Sequence, residues 1–293
     1  MSVPLNGGNG NRKVTVPTIL ERKSCRERIT CLTAYDYPTA RLVDEAGIDM
    51  ILVGDSLAMV VLGYENTLPV TVEEMLHHTR AVRRGVKRAL VIADMPYGSF
   101  HLDAASAVGN AVRFVKEGGA EAVKVEGGEK RLELIARLVE AEIPVMGHVG
   151  LTPQSVHALG GFKVQGKSIE AAEQLLRDAR AVEAAGAFSI VLESIPRELA
   201  ALITRELKIP TIGIGAGPEC DGQVLVFHDL VGLSFSVQPK FARQYADLAA
   251  QIRHAVEGFK KDTLAGAFPS DAESYHLPTE TRDRMLATLV RKC

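Results

Sequence analysis

Short apolar runs rich in Val and Ile recur at residues 29–34, 50–53, 89–93, 122–126, 145–149, 188–192 and 210–214. They do not alternate cleanly between apolar and polar positions, which marks strands covered on both faces, as in a parallel sheet or barrel. Amphipathic segments fill the gaps at 38–46, 71–84, 104–117, 131–142, 169–185 and 197–207. Thr71-Val-Glu-Glu74 carries the capping-box spacing, in which the first and fourth side chains each satisfy the other residue's backbone N–H. Gly47, Gly118-Gly119 and Gly186 follow helix-like segments directly, where a left-handed C-cap favours glycine.

Seven βα units counted this way predict an α/β (β/α)8 TIM barrel with a C-terminal helical extension. The eighth strand is harder to place. Residues 224–227 are apolar but follow the seventh run closely, and a parallel crossover ordinarily needs about a dozen residues. We therefore read 221–230 as a short helix and expect the eighth strand within 233–241. A helix is expected over 244–259. The resulting organisation is a disordered tail over 1–14, a catalytic barrel over 15–262, and an extension over 263–293 that could pack on a partner subunit.

Composition is compatible with this plan. A chain of 293 residues, 46% hydrophobic and 24% charged, can bury a barrel-sized core. Its formal net charge of -2, with basic residues spread along the chain, offers no nucleic-acid surface. No apolar run approaches the roughly 18 residues of a membrane span, and the Gly/Asn-rich start lacks a signal peptide's apolar stretch. Cys25, Cys31, Cys220 and Cys293 are scattered, without the paired spacing of a zinc site or disulfide framework. A cytoplasmic location is the expectation.

The candidate chemistry sits where the strands end. Asp55 follows the run at 50–53, Asp94 follows the run at 89–93, and Glu126 closes Ala122-Val-Lys-Val-Glu. Carboxylates at neighbouring C-terminal strand ends can hold a hard divalent cation, and barrels place their active sites there. Mg²⁺ takes one or two protein carboxylates directly and keeps waters, so one of the three could act through a water. Lys124 lies two residues before Glu126 and shares its face. The pair is either a self-satisfied structural one or, beside Asp55 and Asp94, part of a metal and substrate site with Lys124 as a fixed charge for an anion. Glu193 ends Ser189-Ile-Val-Leu-Glu at the same rim and is a candidate general base, because a carboxylate shielded from water can have its pKa raised towards neutrality. His148 ends the fifth run and is read as a hydrogen-bonded structural residue. His77 and His78 point different ways from one helix and carry no assignment.

Two glycine motifs need a decision. Gly161–Ser168 matches G-x-x-x-x-G-K-S literally, but a P-loop needs a strand ending directly before it, and the nearest ends near Val149. It is read as chance similarity. Gly213-Ile-Gly-Ala-Gly-Pro218 has proline where a dinucleotide fingerprint needs its last glycine, so its glycines are read as permitting close backbone approach to a ligand.

Together the motifs resemble the ketopantoate hydroxymethyltransferase family. The matching segments include Thr33-Ala-Tyr-Asp36, Val53-Gly-Asp-Ser-Leu57, Ala93-Asp-Met-Pro-Tyr-Gly98, Val123-Lys-Val-Glu-Gly127, Gly147-His-Val-Gly-Leu-Thr-Pro-Gln154, Leu192-Glu193 and Gly213–Val226. The likeness runs in order from about residue 15 to about 260. It implies a (β/α)8 barrel, bound Mg²⁺, and transfer of a hydroxymethyl group from 5,10-methylenetetrahydrofolate to 3-methyl-2-oxobutanoate through a Mg-stabilised enolate, giving 2-dehydropantoate for pantothenate biosynthesis. By motif match it implies Asp55, Asp94 and Glu126 at the metal, Asp55, Ser56, Asp94 and Lys124 at the oxoacid, and Glu193 as catalytic base. It also implies a homo-oligomer, often a decamer. The folate-binding residues stay unassigned, with loops near 147–167 and 213–222 as plausible walls.

The nearest rival is a Mg²⁺-dependent lyase or mutase of the isocitrate lyase and phosphoenolpyruvate mutase kind, whose oxoacid chemistry is alike. The segments at 147–154 and 213–226 favour the transferase, and the lyase's catalytic cysteine motif is absent. A nucleotide-binding module resting on Gly161–Ser168, and a catalytically silent barrel, are the rivals from other classes.

Overall fold

The computed structural model describes residues 12–235 and 238–289. Most of the expected N-terminal tail, 1–11, lies outside the described residues. Eight parallel strands close into a barrel in sequential order, β1 through β8, with β8 pairing back onto β1. In chain order the elements are α1 (Val16–Cys25), β1 (Ile29–Thr33), α2 (Tyr37–Glu45), β2 (Met50–Val53), α3 (Leu57–Val60), α4 (Val72–Gly85), β3 (Leu90–Asp94) and α5 (Ala104–Arg113). There follow β4 (Ala122–Glu126), α6 (Leu132–Glu140), β5 (Val145–Gly150), α7 (Val156–Leu159), α8 (Ile169–Ala184), β6 (Ser189–Glu193) and α9 (Arg197–Glu206). The barrel closes with β7 (Thr211–Ile214), β8 (Gly222–Leu225) and α10 (Phe227–Val231). Up to Tyr245 the chain forms one compact unit. A second unit from Ala246 contains α11 (Leu248–Leu264) and α12 (Thr279–Leu289), so residue 262, the expected barrel boundary, falls within a helix.

The two faces of the strands account for their unbroken hydrophobicity. Val53, Val91, Val123, Val125 and Ile190 point outward and pack beneath the helices. Ile29, Met50, Leu52, Leu90, Ile92, Ala122, Met146 and Ile212 form a separate cluster inside the barrel. Val14 and Ile19 join that inner cluster, so α1 closes its N-terminal mouth. This helix was not expected from the sequence. Arg22 anchors it, with Nη1 2.9 Å from the buried Asp49 Oδ2, an oxygen that also accepts from Thr30 N at 3.0 Å. Elsewhere α4 opens with the expected capping box between Thr71 and Glu74. The helix expected over 104–117 is α5 followed by a π-helical turn, Phe114–Gly118.

The eighth strand is a correction. It is Gly222–Leu225, inside the segment read as a helix, and no strand occurs among the described residues of 233–241. The helix of that segment starts later, at Phe227. The usual crossover length assumes an intervening helix. Here the chain runs from Ile214 to Gly222 without one, and β7 and β8 are only four residues each. At about 3.4 Å per residue an extended link of that size covers the return and the ~4.8 Å step sideways. Gly222 makes the fit possible, since a Cβ there would lie 2.5 Å from the Ile29 carbonyl oxygen.

Candidate active site

Above the apolar plug, the C-terminal strand ends surround a cavity of about 700 Å³. Every residue singled out as a candidate lines it: Asp55, Ser56, Asp94, Lys124, Glu126 and Glu193, together with His148. The barrel's register brings them together. Asp94 on β3 is level with Lys124 on β4, and Glu126 is level with His148 on β5. Lys124 and Glu126 share the interior face of β4, while Val123 and Val125 between and before them face the helices.

The polar groups are buried and mutually engaged. Lys124 Nζ lies 2.6 Å from Asp94 Oδ1 and 4.0 Å from Glu126 Oε1. Asp94 Oδ2 accepts from the Asp55 backbone N–H at 3.0 Å. His148 bridges two carboxylates, with Nδ1 3.4 Å from Glu126 Oε1 and Nε2 3.2 Å from Glu193 Oε2. Tyr35 Oη and Ser56 Oγ share a hydrogen bond of 2.9 Å.

Burial and crowding decide the charge states. Burial, with the like charges of Asp94 and Glu126, pushes the Asp55 carboxyl well above its usual range. Asp94 is also raised by burial, against the pull of Lys124. Burial acts to deprotonate Lys124, but Asp94, Glu126 and Asp55 outweigh it and hold the ammonium form firmly. Burial would also raise Glu126, yet the His148 hydrogen bond and charge keep it below the ordinary value. His148 itself, despite burial and the nearby Lys124, is lifted to about 9 by Glu126 and Glu193. The reading of His148 as a structural histidine places it correctly in a hydrogen-bonding environment but misses its contact with Glu193.

A hard cation suits this chemistry. Three buried carboxylates, Asp55, Asp94 and Glu126, outnumber the one buried lysine. Among the described residues, however, no group of three or more His, Cys, Asp or Glu side chains is arranged to chelate an ion. The site therefore fits an ion held by one or two carboxylates with water completing its shell, as Mg²⁺ is usually bound.

Gln154 was not anticipated as a separate site residue. It sits in the 3-10 turn Pro153–Ser155 after β5 and is buried among the carboxylates. Nothing in its local sequence distinguishes it from a surface glutamine, because its partners lie on other strands. The Gly161–Ser168 segment is a loop well past the end of β5, and Phe162, Lys163 and Val164 from it line the cavity mouth.

Comparison with known proteins decides between the transferase and its rivals. Residues 13–271 match the family described as ketopantoate hydroxymethyltransferase. The chain belongs to that family. A relative from Koribacter versatilis (strain Ellin345), named 3-methyl-2-oxobutanoate hydroxymethyltransferase, is 65% identical over 94% of this chain and 93% of its own. A relative of the same name from Carboxydothermus hydrogenoformans is 54% identical over 93% of this chain and 99% of its own. Among solved structures, phosphonopyruvate hydrolase in complex with oxalate and Mg²⁺ has a similar fold, with a TM-score of 0.58 at 16% identity over 94% of this chain and 99% of that one. 2,3-Dimethylmalate lyase, a member of the PEP mutase/isocitrate lyase superfamily, gives 0.56 at 16% identity over 94% and 96%. The fold is thus shared with the rival enzymes, while the sequence places the chain in a hydroxymethyltransferase family.

Proposed function

We propose that this enzyme transfers a hydroxymethyl group from 5,10-methylenetetrahydrofolate to 3-methyl-2-oxobutanoate, forming 2-dehydropantoate for pantothenate biosynthesis. The observation that carries the reading is the division of labour within one cavity. Lys124 and the carboxylates at the ends of β2, β3 and β4 form one cluster on neighbouring strands. Glu193 stands apart from it on β6, two strands beyond β4 and separated from Glu126 by His148 on β5.

Asp55, Asp94 and Glu126 would hold Mg²⁺, one of them through a water. When bound there, Mg²⁺ would supply Lewis-acid stabilisation of negative charge on the 2-oxo oxygen. Lys124, fixed as an ammonium by its neighbours, supplies a permanent positive charge for the substrate carboxylate. Ser56, oriented by Tyr35, fixes that carboxylate's placement. Glu193 removes the C3 proton as general base, with His148 Nε2 holding its Oε2 in position at 3.2 Å. The electron pair of the broken C3–H bond delocalises onto the 2-oxo group, and C3 then forms the new C–C bond to the folate's one-carbon unit. Both C–N bonds that tie this carbon to N5 and N10 of the folate break, one replaced by the new C–C bond and the other by a C–O bond to water. The two nitrogens take up the C3 proton and one proton of that water. The cavity exceeds what a five-carbon oxoacid needs and lies within the ~300–1,000 Å³ of larger ligand sites, which supports a folate in its outer part. A homo-oligomer, as a decamer, and a cytoplasmic location complete the proposal.

Exchange of the C3 proton in D₂O, followed by proton NMR with Mg²⁺ and tetrahydrofolate and with an EDTA control, tests the reading. Metal-dependent deuteration is expected. Absence of exchange in protein that still binds Mg²⁺ would reject this substrate and return the lyase reading to consideration.

A further inference from the structure

Gln154 belongs to the loop after β5, yet its hydrogen bonds reach the ends of β2, β3 and β4. Its side-chain Nε2 donates to Asp55 Oδ2 at 2.9 Å and to the Met95 carbonyl oxygen at 3.0 Å. Its backbone N–H donates to Glu126 Oε2 at 3.0 Å. The Met95 carbonyl oxygen can only accept, so the amide orientation is determined by its surroundings. The remaining atom, Oε1, is buried without a partner, and the residue as a whole is only 5% exposed. A glutamine used merely to fill space would not leave a buried carbonyl oxygen unsatisfied, because a polar group removed from water without a partner is destabilising.

The loop's path depends on Gly150. This residue has φ +99°, and a Cβ on it would lie 2.2 Å from the Glu193 carbonyl oxygen. The chain crosses the end of β6 at that point, where Leu151 N–H donates to the same oxygen at 2.9 Å. It then turns back through Pro153–Ser155 and delivers Gln154 to the carboxylates. The carboxylates are thereby fixed within the protein, Asp94 also by Lys124 at Oδ1 and Glu126 also by His148 near Oε1. Gln154 engages Asp55 Oδ2 and Glu126 Oε2, and the Asp55 N–H engages Asp94 Oδ2.

We propose that Gln154 is a positioning residue: it holds Asp55 Oδ2 and Glu126 Oε2 and so fixes the orientation in which the two carboxylates, Asp55 through Oδ1, would meet the cation. The inference rests on the proposed divalent-cation site. Its consequence is that a residue contacting neither substrate nor ion sets the affinity for the ion. Loss of such an orienting partner typically weakens metal binding by about 10–100-fold.

The test uses the full-length protein and Mn²⁺ as an EPR-visible probe, with free Mn²⁺ counted in a titration and Mg²⁺ competition as a check. Gln154→Met keeps the side chain's length and the backbone N–H but removes both amide donors. It is expected to weaken Mn²⁺ binding about 10–100-fold and to raise KM for the oxoacid, with circular dichroism unchanged. Gln154→Asn, one methylene shorter, should act in the same direction and replaces the methionine variant if that one does not fold. A parent protein that fails to bind Mn²⁺ would sink the cation site and this inference with it. A parent that binds Mn²⁺ beside a variant that is equal in affinity, with only a lowered Tm, would leave the cation site standing and reduce Gln154 to a strut. Failure of both variants to fold would also overturn the positioning role.

Discussion

At the scale of single residues, the site works by surrounding one ammonium group with carboxylates and keeping another carboxylate apart. The Glu193 side chain is mostly buried and contacts the histidine, not Lys124. The Glu193→Gln enzyme is expected to bind Mg²⁺ and the oxoacid nearly as the parent does while kcat falls by about 10²–10⁴-fold, the usual weight of a general base. Equal loss of binding and turnover, measured by calorimetry alongside kinetics, would instead make Glu193 a binding residue. Asp94→Ala removes the close partner of Lys124 and the acceptor for the Asp55 N–H. It should weaken cation and oxoacid binding together and lower stability by about 3–5 kcal/mol, the cost of breaking a buried ion pair, as read by urea unfolding. The raised pKa of His148 has a defined sign. Its ordinary value of 6.5 is lifted to about 9 in the folded chain. Its contribution to stability is therefore complete below about pH 6.5 and is lost as pH rises through about 9. The Tm of EDTA-treated protein should decline across that window, and His148→Gln should flatten the decline.

At the scale of elements, two kinds of information behaved differently. Strands β1 to β7 were legible because short, unalternating Val/Ile runs are hard to accommodate except between two apolar layers. Helix α4 was legible because its capping box acts within four residues, and Thr71→Ala should cost about 1 kcal/mol in urea unfolding while leaving kcat alone. Helix α1 and strand β8 were not legible, since each is stabilised by distant partners. Val14 and Ile19 find the inner cluster only once the barrel exists, and β8 pairs mainly with β1, far away in sequence. The β5 loop joins the two kinds. Gly150→Ala should strain a φ of +99° and push against Glu193 O. A stability loss above about 1 kcal/mol, together with impaired oxoacid binding as Gln154 is displaced, is the expected outcome.

At the scale of the whole molecule, α11 leaves Ile252, Val256 and Phe259 at least half exposed on one helical stripe. Self-association is the proposed use for apolar surface of this chain, and sedimentation velocity should find a species near ten times the 31.6 kDa chain mass. A monomer at micromolar concentration would count against the decamer. The sequence by itself determined the barrel class, the rim positions of Asp55, Asp94, Lys124, Glu126 and Glu193, and the resemblance that the family match bears out. It could do so because strand periodicity and strand-end chemistry are local, repeated in every βα unit. Only the tertiary structure decided that His148 links Glu126 to Glu193, that Gln154 joins three strand ends, and that β8 closes the ring after a short return. Each of these depends on groups brought together by closure of the barrel, and no local pattern encodes a partner that is close only in space.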